Sequence, residues 1–252
     1  MAKCVFIAGT DTDVGKTFTS SLILKALNEK CLLTCGFKPV ASGSEWVQTD
    51  TDNTQSSIQR HLVNPDALTL QREASIQLPY QLVNPFCFEP AIAPHVAAKD
   101  IAADISVERL NLAFDRLLAA ASTSGSADVL LTEGAGGWHV PLNNHERLSD
   151  WVIAQHQERQ MGVILVVGLK LGAINHALLS AQAIAAAGVP LLGWVANRPA
   201  AEPMAREAET LDYLQGAIEA PLLADIGFAQ NPQEARLSKA EQTALLTAID
   251  CS

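Results

Sequence analysis

The sequence contains few aromatic residues and few basic residues, and each shortage narrows the class of protein. Phe, Trp and Tyr make up 5% of the 252 residues, whereas hydrophobic residues make up 48%. A large core rich in Ala, Leu and Val is typical of helices packed on a parallel sheet. Lys and Arg number 17 against 27 Asp and Glu, which gives a formal net charge of −10 at pH 7. This balance argues against nucleic acid or an anionic membrane as a partner.

The cysteines do not form a metal-binding pattern. Cys31 and Cys35 lie close together, but no second Cys or His pair follows at the spacing of a zinc site. We therefore expect reduced thiols. The patterns G-x-S-x-G and H-E-x-x-H are also absent from the sequence, which argues against those two hydrolase mechanisms.

Long apolar segments are equally scarce. Residues 177–196 are the most apolar stretch, yet Gly188, Val189 and Pro190 divide it into a helix and a strand. The apolar run at the start of the chain is too short for a signal peptide. We expect a soluble, cytoplasmic protein with no membrane-spanning helix.

A stretch resembling a phosphate-binding loop, AGTDTDVGKTF, follows the first apolar run. Five residues separate Gly9 from Gly15, where the usual pattern has four. Gly15 allows close backbone approach, and the free amides and dipole of a following helix favour phosphate. Lys16 would then reach the β- and γ-phosphates, and the Thr17 hydroxyl would ligate Mg²⁺. The alternative is a Gly-Lys-Thr sequence that merely opens a helix.

Apolar runs and helical patterns alternate along the chain. Strands are predicted at Cys4–Ala8, Thr34–Lys38, Val129–Thr132, Val163–Val167 and Leu191–Ala196. Helices are predicted at Lys16–Leu27, Val107–Ala121, Ile174–Ala187, Met204–Gln215 and Ser238–Ile249, the last with a capping box. This order predicts an α/β fold: one domain over residues 1–252, with a mainly parallel sheet flanked by helices in three layers, as in P-loop NTPases. The polar segment Trp46–Asn64 is predicted to be a surface excursion, partly helical.

Two predicted strands end in residues suited to phosphate chemistry. Lys38 ends the second strand, and Ser42 follows it in the turn GFKPVASGS. Glu133 ends the third strand before a Gly-rich turn, where phosphate-binding enzymes place a Mg²⁺ carboxylate. The alternatives are a solvated lysine on an apolar stem and a glutamate in an ordinary tight turn.

Other candidates are weaker on the residues alone. Asp66 follows a proline, where an N-cap or turn role is more common than a ligand role. Gly172 and Asn175 mark a second helix start, either an anion site or an N-cap. Asn197 could read a base edge or simply close a turn.

The segments that carry these candidate residues make the sequence resemble the dethiobiotin synthetase family. The matching stretches are GTDTDVGKT, GFKPVASGS, NPDALTLQ, VNPFCFEPAIAPH, LTEGAGGWHVPL, LVVGLKLGAINHALL and LLGWVAN, which run in order over most of residues 3–200. The longer loop is this family's own variant. The resemblance implies an ATP-dependent ligase of biotin biosynthesis that joins CO₂ to 7,8-diaminononanoate. A carbamate forms, ATP converts it to a carbamic–phosphoric anhydride, and the second amine closes the ring.

The resemblance also implies roles for individual residues. Lys16 and Lys38 would be catalytic, and Thr17, Asp66 and Glu133 would hold Mg²⁺. Thr12, Ser42, Gly172 and Asn175 would bind the substrate, whose carboxylate tail meets the partner subunit's helix start in a homodimer. The implied ATP contacts are Asp13, Val14, Gly15, Lys16, Thr17, Phe18, Asp66, Glu133, Gly134, Ala135, Gly136, Asn197, Arg198, Gly227, Phe228, Ala229 and Gln233.

The chain departs from the family pattern near its end. Gly227 and Phe228 stand where Pro-Trp is common, and Gln233 stands where a nucleotide-contacting Glu is expected. One rival hypothesis is a partner-regulated ATPase switch with the same deviant loop. Such switches usually carry an early lysine in the loop, where this chain has Thr10, Asp11 and Thr12. An amidotransferase, a further rival, would need an additional glutaminase domain.

Overall fold

The computed structural model describes residues 2–50 and 58–250, whose order of elements follows the predicted alternation of strands and helices. The strands of this part are β1 Lys3–Gly9, β2 Thr34–Phe37, β3 Val40–Ala41, β4 Glu45–Asp50, β5 Ile58–Val63, β6 Phe86–Cys87, β7 Val129–Glu133, β8 Gly162–Gly168, β9 Leu191–Asn197 and β10 Leu222–Ile226. The helices are α1 Lys16–Glu29, α2 Pro65–Glu73, α3 Tyr80–Val83, α4 Pro94–Asp100, α5 Val107–Thr123, α6 Leu148–Arg159, α7 Ala173–Ala186, α8 Glu207–Ala217 and α9 Lys239–Ile249.

Six strands pair in parallel in the order β10-β9-β8-β1-β7-β2. The phosphate-loop strand β1 therefore lies at the centre, with Ile7 paired to Glu133 of β7 and Gly9 paired to Val166 of β8. Because parallel strands end at the same edge, the residues after β1, β2, β7, β8 and β9 meet above that edge. This topology confirms the predicted α/β fold.

Alternate side chains of β1 enter two separate cores. Val5 and Ile7 pack with α1 and α9 on one face of the sheet. Phe6 packs on the other face with an aromatic cluster, in which its ring centroid lies 6.4 Å from that of Trp151. Both faces of the sheet are covered, as the apolar sequences of its strands require.

The five predicted strands and five predicted helices are confirmed in position. The sequence analysis missed the short elements β3, β6, α3 and α4 as well as β10, α2 and α6. It was wrong about helix within Trp46–Asn64, because β4 and β5 form an antiparallel ladder from Glu45–Val63 to Asp50–Ile58. The surface location is supported by Trp46, which is 49% exposed. Residues 51–57 lie outside the described part of the chain. Within the described ranges, no helix is long and apolar enough to cross a membrane.

Candidate nucleotide and acceptor site

The loop between β1 and α1 has the geometry of an anion-binding turn. Gly15, at the N-cap of α1, adopts φ 89°, and no side chain caps the helix start. A Cβ atom at Gly15 would lie 2.1 Å from Nδ2 of Asn197, so only glycine fits. The first amides of α1 are consequently left for a ligand, and the helix dipole favours an anion there.

Lys16 folds back over its own loop. Its Nζ donates to the Asp11 carbonyl oxygen at 3.0 Å, and the side chain is buried. Burial, together with the nearby Lys38 ammonium, lowers the pKa of Lys16 to about 8. The loop thus presents a lysine whose hydration has largely been removed, which strengthens its attraction for a phosphate.

Lys38 lies between two carboxylates above the sheet edge. Its Nζ donates to Glu133 Oε1 at 2.6 Å and to Asp66 Oδ2 at 3.1 Å. Glu133 Oε1 also accepts from the Thr17 hydroxyl at 2.8 Å. Lys38 is 3% exposed and Glu133 is 0% exposed. The solvated-lysine alternative for Lys38 is therefore wrong.

These charges shift one another's protonation. Burial alone would lower the pKa of Lys38, but the Glu133 and Asp66 carboxylates outweigh burial and raise it. Burial would raise the pKa of Asp66, but the Lys38 ammonium outweighs it and lowers that pKa. Lys38 and Asp66 are therefore both ionised at neutral pH.

Three oxygen-bearing side chains converge where a metal was predicted. Thr17, Asp66 and Glu133 supply a hydroxyl and two carboxylates, the oxygen ligands that Mg²⁺ prefers. Glu133 Oε2 is buried without a hydrogen-bond partner in the described part of the chain, so it is available to a ligand. No cluster of three or more Asp, Glu, His or Cys side chains suited to a metal occurs in residues 2–50 and 58–250. The residues fit a Mg²⁺ ion whose remaining ligands would be phosphate oxygens and water.

Asn197 is the last residue of β9 beside the loop, and Arg198 follows it. Their side chains differ in whether their polar groups are available to a ligand. Asn197 Nδ2 donates to the Val14 carbonyl oxygen at 2.8 Å, and its buried Oδ1 has no partner in the described residues. The Arg198 guanidinium is held by Glu207 and Asp225. Asn197 therefore has a free acceptor, whereas the charge of Arg198 is already paired.

These groups border a cavity of about 700 Å³. The predicted site residues that line it are Thr12, Asp13, Gly15, Lys16, Thr17, Phe18, Lys38, Ser42, Asp66, Ala135, Gly136, Asn197, Arg198, Phe228 and Ala229. Two other predicted residues do not line the cavity but hold residues that do. The Val14 carbonyl oxygen accepts from Asn197, and the Gly134 carbonyl oxygen accepts from Lys38 at 3.3 Å.

Besides Val14, Glu133 and Gly134, four predicted site residues do not line this cavity. Gly227 and Gln233 are exposed beyond β10, and Gln233 lines a separate cavity beside Lys25. Gly172 and Asn175 are exposed at the start of α7. The structure does not bring these four into the site, so their contacts stay predictions.

The start of α7 is nevertheless linked to the phosphate loop. Gly172 adopts φ 94° at the N-cap, and Asn175 lies inside the helix, so Asn175 is not the cap. Lys170, just before this helix, donates to Asp11 Oδ2 at 2.9 Å. This hydrogen bond lowers the pKa of Asp11.

Sequence reasoning missed several residues that complete the cavity. Ala41 and Ala91 form part of its wall, and Asn64 both lines it and caps α2 by accepting from the Asp66 amide at 3.1 Å. The Asn-Pro pair that opens α2 was a recognisable helix-start signal. Asp66 is therefore not the N-cap, and its carboxylate is free to pair with Lys38.

A parallel sheet with a phosphate loop between its central strand and a helix defines a P-loop nucleotide-binding protein. The receptor FtsY of the signal recognition particle from Elizabethkingia anophelis superposes with TM-score 0.52 at 14% identity, over 99% of this chain and 64% of that chain. The ParA family ATPase from Chlorobium tepidum superposes with TM-score 0.51 at 14% identity, over 100% of this chain and 95% of that chain. At these identities the likeness shows the fold alone.

Sequence comparison identifies the family within this class. A family described as an AAA domain matches residues 3–236. The ATP-dependent dethiobiotin synthetase BioD of Vibrio parahaemolyticus is 42% identical over 95% of each chain. The ATP-dependent dethiobiotin synthetase BioD 1 of Salmonella typhi is 45% identical over 90% of each chain. The chain belongs to the family of ATP-dependent dethiobiotin synthetases.

Proposed function

We propose that this chain is a ligase that makes dethiobiotin from 7,8-diaminononanoate, CO₂ and ATP in biotin biosynthesis. The observation that carries the proposal is the position of Lys38, buried at the edge of the cavity that the phosphate loop also lines. An ATPase switch needs the loop and the metal ligands. A second buried lysine beside them suits an enzyme whose phosphoryl acceptor is an anion.

The loop half of the cavity is proposed to bind the triphosphate. The free amides of α1 and the Lys16 ammonium face the phosphates, and the Asn197 Oδ1 atom accepts from the amino group of adenine. Lys16 must then exchange its hydrogen bond to the Asp11 carbonyl for a phosphate oxygen. Phosphoryl transfer needs little covalent chemistry from the protein, so position and charge provide most of the catalysis.

The other half of the cavity is proposed to hold the acceptor. One amine of the diamine adds to CO₂ and loses a proton, which gives a carbamate anion near Lys38 and Ser42. A carbamate oxygen then attacks the γ-phosphorus and ADP leaves. The second amine attacks the carbonyl carbon of the anhydride, phosphate leaves, and the cyclic urea closes. Lys38 neutralises the charge of the carbamate and of the transferring group.

A magnesium ion is proposed at Thr17, Asp66 and Glu133. When bound, it would neutralise the charge of the phosphate oxygens. Lys38 contacts both carboxylates in this structure, so it stays close to the metal ligands and to the acceptor at once.

We further propose one domain over residues 1–252 and a homodimer in which the substrate tail meets the partner subunit. Gly172 and Asn175 open α7 outside the main cavity, so an anion there would not be the nucleotide. Replacing the tail carboxylate of the substrate by an amide should raise KM for the diamine and leave KM for ATP nearly unchanged. Full activity in a species that sediments as a monomer would contradict the shared site.

The direct test is whether the acceptor drives ATP hydrolysis. Phosphate release from Mg·ATP should be low alone and should rise when the diamine and bicarbonate are both added. Labelled bicarbonate should enter a cyclic urea in proportion to the phosphate released. Equal phosphate release with and without the diamine would favour the ATPase switch and overturn the proposal.

A further inference from the structure

Behind the acceptor half of the cavity, a chain of hydrogen bonds joins the segments that carry Lys38, Asp66 and Ser42. It runs through the side chains of Tyr80 and Asn84, and through both the backbone N–H and the side chain of Asn64. None of these three was singled out by the sequence. Asn84 is 3% exposed and Asn64 is 4% exposed, so their polar groups depend on protein partners.

One end of this chain holds the strand end that carries Lys38. Asn84 Nδ2 donates to the Lys38 carbonyl oxygen at 2.7 Å, and the Lys38 amide donates to the Val83 carbonyl oxygen at 2.8 Å. The Tyr80 hydroxyl donates to Asn84 Oδ1 at 2.8 Å. The tyrosine therefore fixes which way the Asn84 amide points, and the amide fixes the backbone of Lys38.

The other end holds the two remaining residues of the acceptor half. The Tyr80 hydroxyl oxygen accepts from the backbone N–H of Asn64 at 2.7 Å. Asn64 in turn accepts from the Asp66 amide at 3.1 Å through Oδ1 and donates to the Ser42 carbonyl oxygen at 3.3 Å through Nδ2. One hydroxyl thus links the backbone of Lys38 to the start of the helix that carries its partner Asp66.

We propose that Tyr80 is a positioning residue that sets the Lys38 ammonium against Asp66 and the acceptor, without itself contacting substrate. The proposal rests on the proposed roles of Lys38 and Asp66. Within residues 2–50 and 58–250, no hydrogen bond joins the phosphate loop directly to Tyr80, Asn84 or Asn64, so the effect of Tyr80 should fall mainly on the acceptor half. Small displacements of a reacting group cost rate steeply, up to about a hundredfold for 1 Å.

The test replaces Tyr80 by Phe, which keeps the ring and removes only the hydroxyl. We expect kcat with diamine, bicarbonate and Mg·ATP to fall about ten- to a hundredfold. The Kd for ADP, measured by calorimetry, should stay within about twofold, because the loop does not depend on Tyr80. Tyr213→Phe, at an exposed tyrosine of α8, is the matched control and should leave kcat unchanged.

A double-mutant cycle shows whether Tyr80 acts through Asn84. In the Asn84→Ala background, Tyr80→Phe should lower kcat by a smaller factor than in the native protein, since the link to Lys38 is already broken and only the link to Asn64 remains to be lost. If Tyr80→Phe does not fold, Asn84→Ala alone must lower kcat while leaving the Kd for ADP intact. An unchanged kcat in Tyr80→Phe, a parallel loss of ADP binding, or full additivity with Asn84→Ala would overturn the proposal.

A Lys38→Ala arm separates this proposal from the proposed function. If Lys38→Ala keeps normal kcat, the proposed role of Lys38 fails, and the positioning role fails with it. If Lys38→Ala loses activity while Tyr80→Phe does not, only the positioning role is overturned.

Discussion

Replacing Lys38 by Ala should destabilise the protein as well as inactivate it. The ammonium of Lys38 lies 2.6 Å from Glu133 and 3.1 Å from Asp66, and the Glu133 side chain is fully buried. Removing one partner of a buried ion pair leaves an uncompensated charge, which costs about 3–5 kcal/mol. In a chain of this size each kcal/mol lowers Tm by about 2–4 °C, so Tm should fall by roughly 6–20 °C. A Lys38 solvated at the mouth of the site, the alternative left open by the sequence, would predict little effect on folding.

The assay is thermal unfolding without nucleotide or Mg²⁺, because bound Mg²⁺ would partly replace the lost positive charge and bound nucleotide would stabilise the folded state by itself. Arg109→Ala is the control, because Arg109 pairs with Asp104 at 3.2 Å on the surface. Exposed pairs contribute about 0–1 kcal/mol, which corresponds to less than about 4 °C. Adding Glu133→Gln to Lys38→Ala should restore much of the lost stability, because the glutamine has no charge to leave unpaired.

A Tm of Lys38→Ala as close to wild type as that of Arg109→Ala would refute the reasoning. So would a double variant that is less stable than Lys38→Ala. Catalysis is measured separately on folded protein. If both lysines stabilise transition-state charge, kcat should fall by roughly 10²–10³ in Lys38→Ala and in Lys16→Ala.

Three further predictions concern the nucleotide half and the thiols. ATP should be preferred over GTP by roughly 5- to 150-fold in kcat/KM, towards the lower end of that range. The reason is that Asn197 Oδ1 accepts from the amino group of adenine but would face an acceptor atom of guanine. Asn197→Ala should remove the preference, and equal kcat/KM values for the two nucleotides in the native protein would contradict the prediction. Gly15→Ala should abolish ADP binding measured by calorimetry, since its Cβ would lie 2.1 Å from Asn197 Nδ2; retained affinity would show that Asn197 can move aside. At pH 8 iodoacetamide should label the exposed Cys31. Burial raises the pKa of Cys4 to about 11 and the pKa of Cys35 to about 12, so mass spectrometry should find these two thiols unlabelled before unfolding.

The sequence predicted the elements whose signals are local. Five of the six central strands were predicted from short, mainly apolar runs, and the capping box of α9 is present, with the Ser238 hydroxyl accepting from the Glu241 amide. Strand β10 was missed because its sequence, LLADI, carries a charged residue, Asp225, which pairs with Arg198 at the sheet edge. Helix α6 was missed because polar residues interrupt its apolar face.

Pairing between distant residues could not be predicted from local patterns. Lys38 is a strand-end lysine in sequence, and only folding brings Glu133, 95 positions away, to its ammonium. The same holds for Tyr80 and Asn84: the Tyr80 hydroxyl hydrogen-bonds to the Asn64 backbone, and the Asn84 side chain hydrogen-bonds to the Lys38 backbone. The resemblance to a family implied roles for the proposed metal ligands, but it could not supply the burial that makes the charges of Lys38, Asp66 and Glu133 interdependent.

The central position of β1 has a consequence for the order in which the protein is built. This strand is synthesised before both of its neighbours in the sheet, β7 and β8. About 160 residues separate Gly9 from the end of β8 at Gly168, and synthesis at about 5–20 residues per second takes roughly 8–30 s over that distance. Through that interval the apolar strand before the phosphate loop lacks at least one of its two partners, β7 until Glu133 and β8 until Gly168 has been made, so a chaperone that shields Lys3–Gly9 would act on the nascent chain of this enzyme.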